Sequence, residues 1–492
     1  MRNYIKEIGK HSTVYTISNL LTKAIGVILI PIYTRFLTTS DYGIISIVIP
    51  LIQAFMIFYS FGMSSVVSRF YFDFKDRSEE QKSFFGTILL FILILGFTIS
   101  IILSIWSKPL FLKIFPGIDF YPYILCVLWI AFFMLVYDLK LTIYRVRGQS
   151  ISYGIFSVLK FVGVIVLTLI TVIHFKMGAF GRVISEFIIV IVLFIVIGIS
   201  LLKDINFRIN LTYLKSALKY AIPVVPHAFS GVTLGIVAKY FLNINEGLSS
   251  AGLYNIGFLI ASIMNLIIYS INLSWSPFFM KLVTEKKEGA KPIISQLTTY
   301  YCLFIFFAGL SITLFSEEIV KILTTKDYYA ASTIIPILIF NYIITGLYYM
   351  VSTKIFYIKS AIKFLPIITI SAAVLNIIMN YFLTPEFGIS GAAWSNVIST
   401  TYIFLFAYFV SQKVYPVRYE YKRIILLSFI TLLLLASYYF LKGLDIHYIF
   451  TLLIKISLLM GYLILLYILG FFRKSEIENL KDIYQKIRKK HF

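Results

Sequence analysis

The strongest constraint on this chain is a succession of about fourteen apolar stretches, each near or above the ~20 residues that cross a hydrocarbon core about 30 Å thick. They fall at 14–37, 42–68, 84–106, 120–144, 151–174, 177–201, 213–240, 249–280, 293–316, 330–353, 361–383, 388–411, 424–441 and 448–471. Inside a bilayer every backbone N–H and C=O must find its partner within the protein, and single stretches of this length do so as helices. The expectation is an all-α integral membrane protein with about fourteen transmembrane helices. Composition agrees: 13% of residues are charged and mean hydropathy is +0.91, whereas soluble domains carry roughly a quarter charged residues. No loop exceeds about twenty residues, which leaves no room for a soluble catalytic domain.

The formal charge of +22 invites a nucleic-acid reading. Its distribution argues against one. With the N-terminus inside, about 32 of the 44 Lys and Arg fall on one side. They sit at the N-terminus, in alternate loops such as that of Lys140, Arg145 and Arg147, and in the tail after Phe472. About eight face the other side: Arg35, Lys108, Lys113, Lys176, Lys239, Lys321, Lys326 and Lys442. This is the positive-inside pattern, with both termini cytoplasmic and an even number of helices. The basic N-terminus raises the question of a signal peptide, but the length of the first stretch and its internal Lys23 favour an uncleaved helix. The tail places Ile477, Leu480, Tyr484 and Ile487 at helical spacing among lysines, as a basic amphipathic helix on anionic lipid would.

Four cations are assigned to the membrane interior: Lys23, Lys160, Arg182 and Lys455. Each costs roughly 2.5–3.5 kcal/mol at the bilayer centre, so such residues face a protein interior or a watery cavity. One acid, Glu186, accompanies them in the stretches they occupy. A cavity with excess positive charge suits an anionic cargo. Thr16, Asn19, Lys23 and Gly26 share one face of the first helix, and Pro31 is placed to kink its outer half. Arg182 and Glu186 are spaced i,i+4 and can pair. Lys160 competes for the same carboxylate, and spacing alone does not choose between them. Glu186, biased by Arg182, and His227 are the candidates for ion coupling. Pro223 and Pro226 predict a kink in the helix that carries His227. Lys455 reads as structural or lipid-facing. Arg35 and Arg69 end the first two helices on opposite sides, positioned for a phosphate at either mouth of a cavity or for headgroup anchoring. Asn19, Gln53 and Asn265 are candidate sugar contacts. Asn255, Asn272, Asn376, Asn380 and Asn396 join them as polar residues that also glue helices together.

The chain repeats itself. Phe36-Leu37-Thr38-Thr39-Ser40-Asp41-Tyr42-Gly43 is echoed about 212 residues later around Phe241-Leu242 and Ala251-Gly252-Leu253-Tyr254. At nearly the same offset, Lys176-Met177-Gly178-Ala179-Phe180-Gly181 is echoed by Glu386-Phe387-Gly388-Ile389-Ser390-Gly391, with Ser185 and Ser395 following. An even number of helices per unit makes the repeats parallel, related by an axis along the membrane normal. The expected organisation is an N-lobe at 1–203, a C-lobe at 204–412, two appended helices at 413–472 and the tail at 473–492. Two six-helix lobes would then face a central cavity. There is no phosphate-binding P-loop, no HExxH and no Gly-x-Ser-x-Gly elbow. Cys126 and Cys302 have neither metal-ligand nor disulfide context. No cofactor, metal or nucleic-acid partner is expected.

The run Ser18-Asn19-Leu20-Leu21, then Pro31-Ile32-Tyr33-Thr34-Arg35-Phe36-Leu37, then Asp41-Tyr42-Gly43 resembles the start of the bacterial polysaccharide-biosynthesis flippases. These are the Wzx-type O-antigen and capsule repeat-unit exporters. Tyr220-Ala221-Ile222-Pro223 and Gly388-Ile389-Ser390-Gly391-Ala392-Ala393 are similar to the same family. The resemblance spans nearly the whole chain in helix count and spacing. It implies membership of the multidrug/oligosaccharidyl-lipid/polysaccharide exporter superfamily, a multi-pass protein of the bacterial cytoplasmic membrane. It also implies an oligosaccharide on undecaprenyl pyrophosphate as cargo, moved to the outer leaflet, and a polysaccharide polymerase complex as a partner besides membrane lipids. On that reading Lys23, Lys160 and Arg182 are the cavity cations for the pyrophosphate. A lipid II flippase fits a cationic cavity equally well. A cation-coupled multidrug exporter calls for more buried acid than this chain has. A membrane polymerase or ligase calls for a large outside loop, and the outside loops here are short.

Overall fold

The computed structural model describes residues 26–74, 77–286, 289–358, 361–444, 447–473 and 476, without the side chains of His227 and Leu234. Lys23, Asn19, Thr16 and the expected tail helix lie outside the described residues. Among those residues every regular element is helical. The main helices are α1 (Ile30–Phe36), α2 (Thr39–Ser60), α3 (Met63–Phe70), α4 (Ser78–Trp106) and α5 (Leu125–Val146). They continue as α6 (Ser150–Leu169), α7 (Gly178–Leu201), α8 (Leu211–Glu246), α9 (Leu248–Lys286) and α10 (Ala290–Leu314). The series ends with α11 (Ser316–Leu323), α12 (Ile335–Tyr357), α13 (Phe364–Val414), α14 (Tyr421–Lys442) and α15 (Tyr448–Ile468).

Among the described residues 11 helices are long and apolar enough to cross a membrane, or up to 12 if a bent pair counts as one span. The expected spans and the observed helices correspond closely. Two expected spans, 361–383 and 388–411, run together as α13, which breaks at Gly388 with φ 55° and ψ −134°. The expected span 42–68 is broken at Phe61 and Gly62, both left-handed, into α2 and α3. Pro31 lies in the first turn of α1, where its missing N–H costs nothing, and a turn at Leu29 precedes it. Pro223 and Pro226 sit inside α8, but its 49° bend separates Leu211–Thr233 from Gly235–Glu246. The bend therefore falls beside glycine, which opposes bending least.

The described residues form two compact units. The first runs to Leu266 and adds Val320–Leu338 and Lys363–Ile403; the second holds Ile267–Ile319, Ile339–Ile362 and the chain from Phe404. Helix α5 is the centre of the first unit, packed by α2, α3, α4, α6 and α7. Its burial is 72% over the membrane window, against 22% for the span that begins with α6, so α5 is enclosed on most of its circumference while α6 keeps a lipid-facing side. In the second unit α14 packs on α10 and α15. Lys455 of α15 is buried there and meets both Glu318 carboxylate oxygens, at 2.7 and 2.8 Å. Its role is thus structural: a buried charge is tolerated when paired.

The repeated segments share local geometry. Gly178 and Gly388 have φ of +54° and +55°. Ser185 Oγ donates to the Gly181 carbonyl at 2.6 Å, and Ser395 Oγ donates to the Gly391 carbonyl at 2.9 Å.

Candidate functional site

A cavity of about 390 Å³ lies within the first unit, lined by residues of α1, α2, α6, α7, α8 and α9 together with Gly26 and Leu29. Its wall is mostly apolar, with Ile45, Pro50, Phe161 and Phe258 among the lining residues. The polar groups are Tyr33, Tyr42, Ser46, Asn255, Arg182 and Lys239.

Local structure places the first cation. Thr38 and Asp41 form a reciprocal capping box at the start of α2. The other Asp41 oxygen accepts the Ala179 N–H at 2.8 Å, so one carboxylate holds the N-termini of both α2 and α7. Gly178 allows the left-handed turn that brings α7 back against α2. Arg182 follows in the next turn of α7. Its Nη2 lies 2.8 Å from Glu186 Oε2, and Lys160 Nζ of α6 donates to Glu186 Oε1 at 3.2 Å. Spacing left Arg182 and Lys160 as rivals for this carboxylate; the fold supplies both. Lys160 also lies 5.6 Å from the Tyr137 ring centroid.

One part of Arg182 remains unsatisfied. Its Nη1 is buried with no hydrogen-bond partner among the described residues. Lys239 is 6% exposed and lies 5.4 Å from the Phe258 ring centroid. It has no ion-pair partner among the described residues. Three cations, Lys160, Arg182 and Lys239, therefore stand against one carboxylate, leaving two positive charges in excess. Uncompensated buried charge is costly, by several kcal/mol per ion. The cavity offsets that cost when water or an anion fills it. Among the described residues no three His, Cys, Asp or Glu gather to hold a metal ion.

Lys239 was not legible as a site residue, because the apolar stretch ends at 240 and places Lys239 at the membrane surface. Helix α8 instead runs on to Glu246 and is stopped by Gly247, at φ 87°. The signal was present: Phe241 and Leu242 resume the apolar run beyond Lys239, and glycine is the usual helix stop. Lys354, expected in a loop, is likewise fully buried, with its Nζ 5.0 Å from the Tyr419 ring centroid.

The other candidates scatter. Arg35 and Gln53 are exposed and Asn265 is half-buried; none of them lines the cavity. Arg69 pairs with Asp73 at 3.3 Å and lines a different pocket. The His227 side chain lies outside the described residues. Asn255 lines the cavity, while Asn376, Asn380 and Asn396 are bound to one another. Asn376 Nδ2 donates to Asn396 Oδ1 at 2.9 Å and to Ser399 Oγ at 3.2 Å, and Asn396 Nδ2 donates to Tyr254 Oη at 2.6 Å.

Comparison with known proteins supplies the family. The sequence profile of the polysaccharide biosynthesis protein family matches residues 8–283, more than half of the chain. An uncharacterized membrane protein of Methanocaldococcus jannaschii is 21% identical over 527 aligned residues, which take in 99% of this chain and 100% of that one. The lipid II flippase MurJ, in an inward closed conformation, superposes with a TM-score of 0.72 at 16% identity, covering 92% of this chain and 99% of that one. An inward-facing multidrug resistance MATE family transporter of the MOP superfamily superposes with a TM-score of 0.63 at 15% identity, covering 84% and 95%. The fold is thus that of MurJ- and MATE-like membrane transporters, and by its sequence the chain belongs to the polysaccharide biosynthesis protein family.

Proposed function

We propose that this protein is a flippase that moves an oligosaccharide repeat unit, linked to undecaprenyl pyrophosphate, from the cytoplasmic to the outer leaflet of the bacterial inner membrane. The observation that carries this is the excess positive charge of the cavity, concentrated on Arg182 Nη1 and on Lys239. A pyrophosphate is an anion that has to cross about 30 Å of hydrocarbon, and fixed cations replace part of the hydration it gives up. The glycan follows through the polar part of the cavity, beside Asn255, Tyr33 and Tyr42, while the lipid tail stays in the bilayer. Lys23, just ahead of Gly26 in the chain, adds a third contact. Access alternates by rocking of two six-helix lobes, 1–203 and 204–412, with both termini cytoplasmic and the basic tail on the inner leaflet. Membrane lipids and a polysaccharide polymerase complex are the partners. Glu186, engaged by two cations, acts as the counter-ion that yields Arg182 to the cargo.

A second reading, a lipid II flippase, is favoured by the likeness to MurJ, since lipid II presents the same pyrophosphate. A cation-coupled drug exporter is disfavoured by the cavity's sign. The test is transbilayer movement in proteoliposomes of a pyrophosphate-linked oligosaccharide, with lipid II in parallel. Wild type is compared with Arg182→Ala, Lys239→Ala and Lys23→Ala at matched insertion. Movement of the oligosaccharide that falls at least tenfold in the first two variants supports the proposal. Movement of lipid II alone replaces it with the second reading. Indifference to all three substitutions removes the cavity from the anion's path.

A further inference from the structure

Among the described residues, two carboxylates lie within the membrane helices of the first unit away from helix ends and from the Gly388 break beside Glu386: Glu186 and Asp138. Their surroundings are opposite. Glu186 has two cations within 3.2 Å. Asp138, on α5, has no Lys, Arg or His within ion-pair distance among the described residues. Its partner is a hydroxyl, Ser64 Oγ of α3, which donates to Asp138 Oδ2. A lone carboxylate in a membrane helix is expensive when ionised, and such residues mark proton pathways.

The approach to Asp138 is built of hydroxyls. A pocket of about 440 Å³ is lined by Ser64, Ser65, Ser68, Arg69, Arg145 and Tyr220. Ser64 belongs both to its wall and to the Asp138 hydrogen bond. Ser68 Oγ donates onward to the Ser64 carbonyl at 2.9 Å. The charged groups on the elements packed around α5 are otherwise committed. Lys140 and Arg147 bind Asp204, Arg69 binds Asp73, and Lys82 binds Glu79. Lys160 and Arg182 bind Glu186, and Asp41 of α2 is held at its helix cap. Glu80 pairs with Arg77, and Tyr137 is the phenol next to Asp138 in the chain. Arg145, one face of the pocket, is the cation whose field reaches Asp138. The Ser64–Asp138 bond ties α3 to α5 two residues beyond the left-handed break at Phe61 and Gly62.

We propose that Asp138 is a proton site, loaded from water in this pocket past Ser64, and distinct from both the cavity and Glu186. A proton from solvent binds Asp138 Oδ2, and the new O–H donates to Ser64 Oγ. The Ser64 hydroxyl proton, until then given to the carboxylate, is freed to turn toward the pocket. The latch between α3 and α5 thereby reverses direction without breaking a covalent bond. The site holds whatever the cargo proves to be.

The experiment is an infrared pH titration of the full-length protein in lipid nanodiscs, following the protonated-carboxyl C=O stretch in wild type, Asp138→Asn, Glu186→Gln and Ser64→Ala. The expected result is a band that titrates in wild type, is lost in Asp138→Asn and persists in Glu186→Gln. Ser64→Ala removes a donor to the ionised form, and the midpoint moves up by about one pH unit. Ser64→Ala serves even if Asp138→Asn does not fold. A band undiminished in Asp138→Asn, or a midpoint unmoved in Ser64→Ala, overturns the assignment and leaves the Ser64 bond as helix glue. A wild-type midpoint that shifts with Na⁺ concentration at constant ionic strength overturns it in favour of a sodium site.

Discussion

Gly43 and Gly252 occupy each other's helix crossing. A methyl group at Gly43 would overlap the Leu248 carbonyl oxygen, and one at Gly252 would overlap the Thr39 carbonyl oxygen. Thr39 Oγ1 and Ser249 Oγ hydrogen-bond at 2.7 Å in the same crossing. Each position repeats the other about 210 residues along the chain. The contact is reciprocal in the way that a two-fold axis makes contacts reciprocal. Glycine is required at both positions because backbone meets backbone there.

Gly43→Ala and Gly252→Ala are expected to be strongly destabilising, each by about 1–3 kcal/mol or more, as overpacking against an immovable carbonyl demands. Gly26→Ala, where nothing among the described residues lies within 4 Å, is the matched control and should be neutral. Thermal unfolding in detergent, followed by intrinsic fluorescence, separates the three. Equal midpoints would show that α2 and α9 do not cross at these glycines.

Lys239→Met should raise the unfolding temperature while slowing anion movement. The substitution removes a buried charge that has no carboxylate partner among the described residues and keeps most of the side chain's volume, so a gain of about 1–4 kcal/mol is expected. A variant both less stable and equally active would mean that Lys239 is held by a partner and is no part of the site.

Glu186→Gln leaves Lys160 and Arg182 facing each other without their counter-charge. Breaking a buried pair from one side costs about 3–5 kcal/mol. The double variant Glu186→Gln with Lys160→Met should recover part of that loss. A double-mutant cycle on unfolding temperature measures the coupling, and strict additivity would mean that the three side chains do not share one network.

Asp204, in the loop after α7, gives a pH signature outside the membrane. Burial pushes its carboxyl up, but hydrogen bonds from Lys140 at 2.6 Å and Arg147 at 2.7 Å outweigh that and hold it below the usual aspartate range. A carboxylate depressed on folding contributes stability fully above its unfolded pKa of about 3.9 and loses it as pH falls through the lower folded value. Wild type should therefore lose unfolding temperature below about pH 4 more steeply than Asp204→Asn does. Parallel curves would dismiss the triad as a source of stability.

Much of this was legible in residue order alone. The spans could be placed because a bilayer demands apolar length, and the glycines of the repeat because a left-handed turn tolerates little else. Arg182 and Glu186 could be paired from helical periodicity. Lys160 could not be assigned, since α6 reaches Glu186 through the packing of α6 on α7, which spacing does not encode. Asp138 was legible only as an acid in an apolar run, which reads the same whether it meets an arginine or, as here, a serine on another helix.

Residue order was enough for the class of molecule, its helices and its family, because these follow from local hydropathy and recurring motifs. Beyond the Arg182–Glu186 pair, which charges are neutralised came from packing. Packing gave Glu186 two cations, left Lys239 and one nitrogen of Arg182 with no carboxylate among the described residues, and set Asp138 beside Ser64. The physical reason is range: hydropathy acts residue by residue along the chain, whereas an ion pair depends on a few ångströms between helices far apart in sequence.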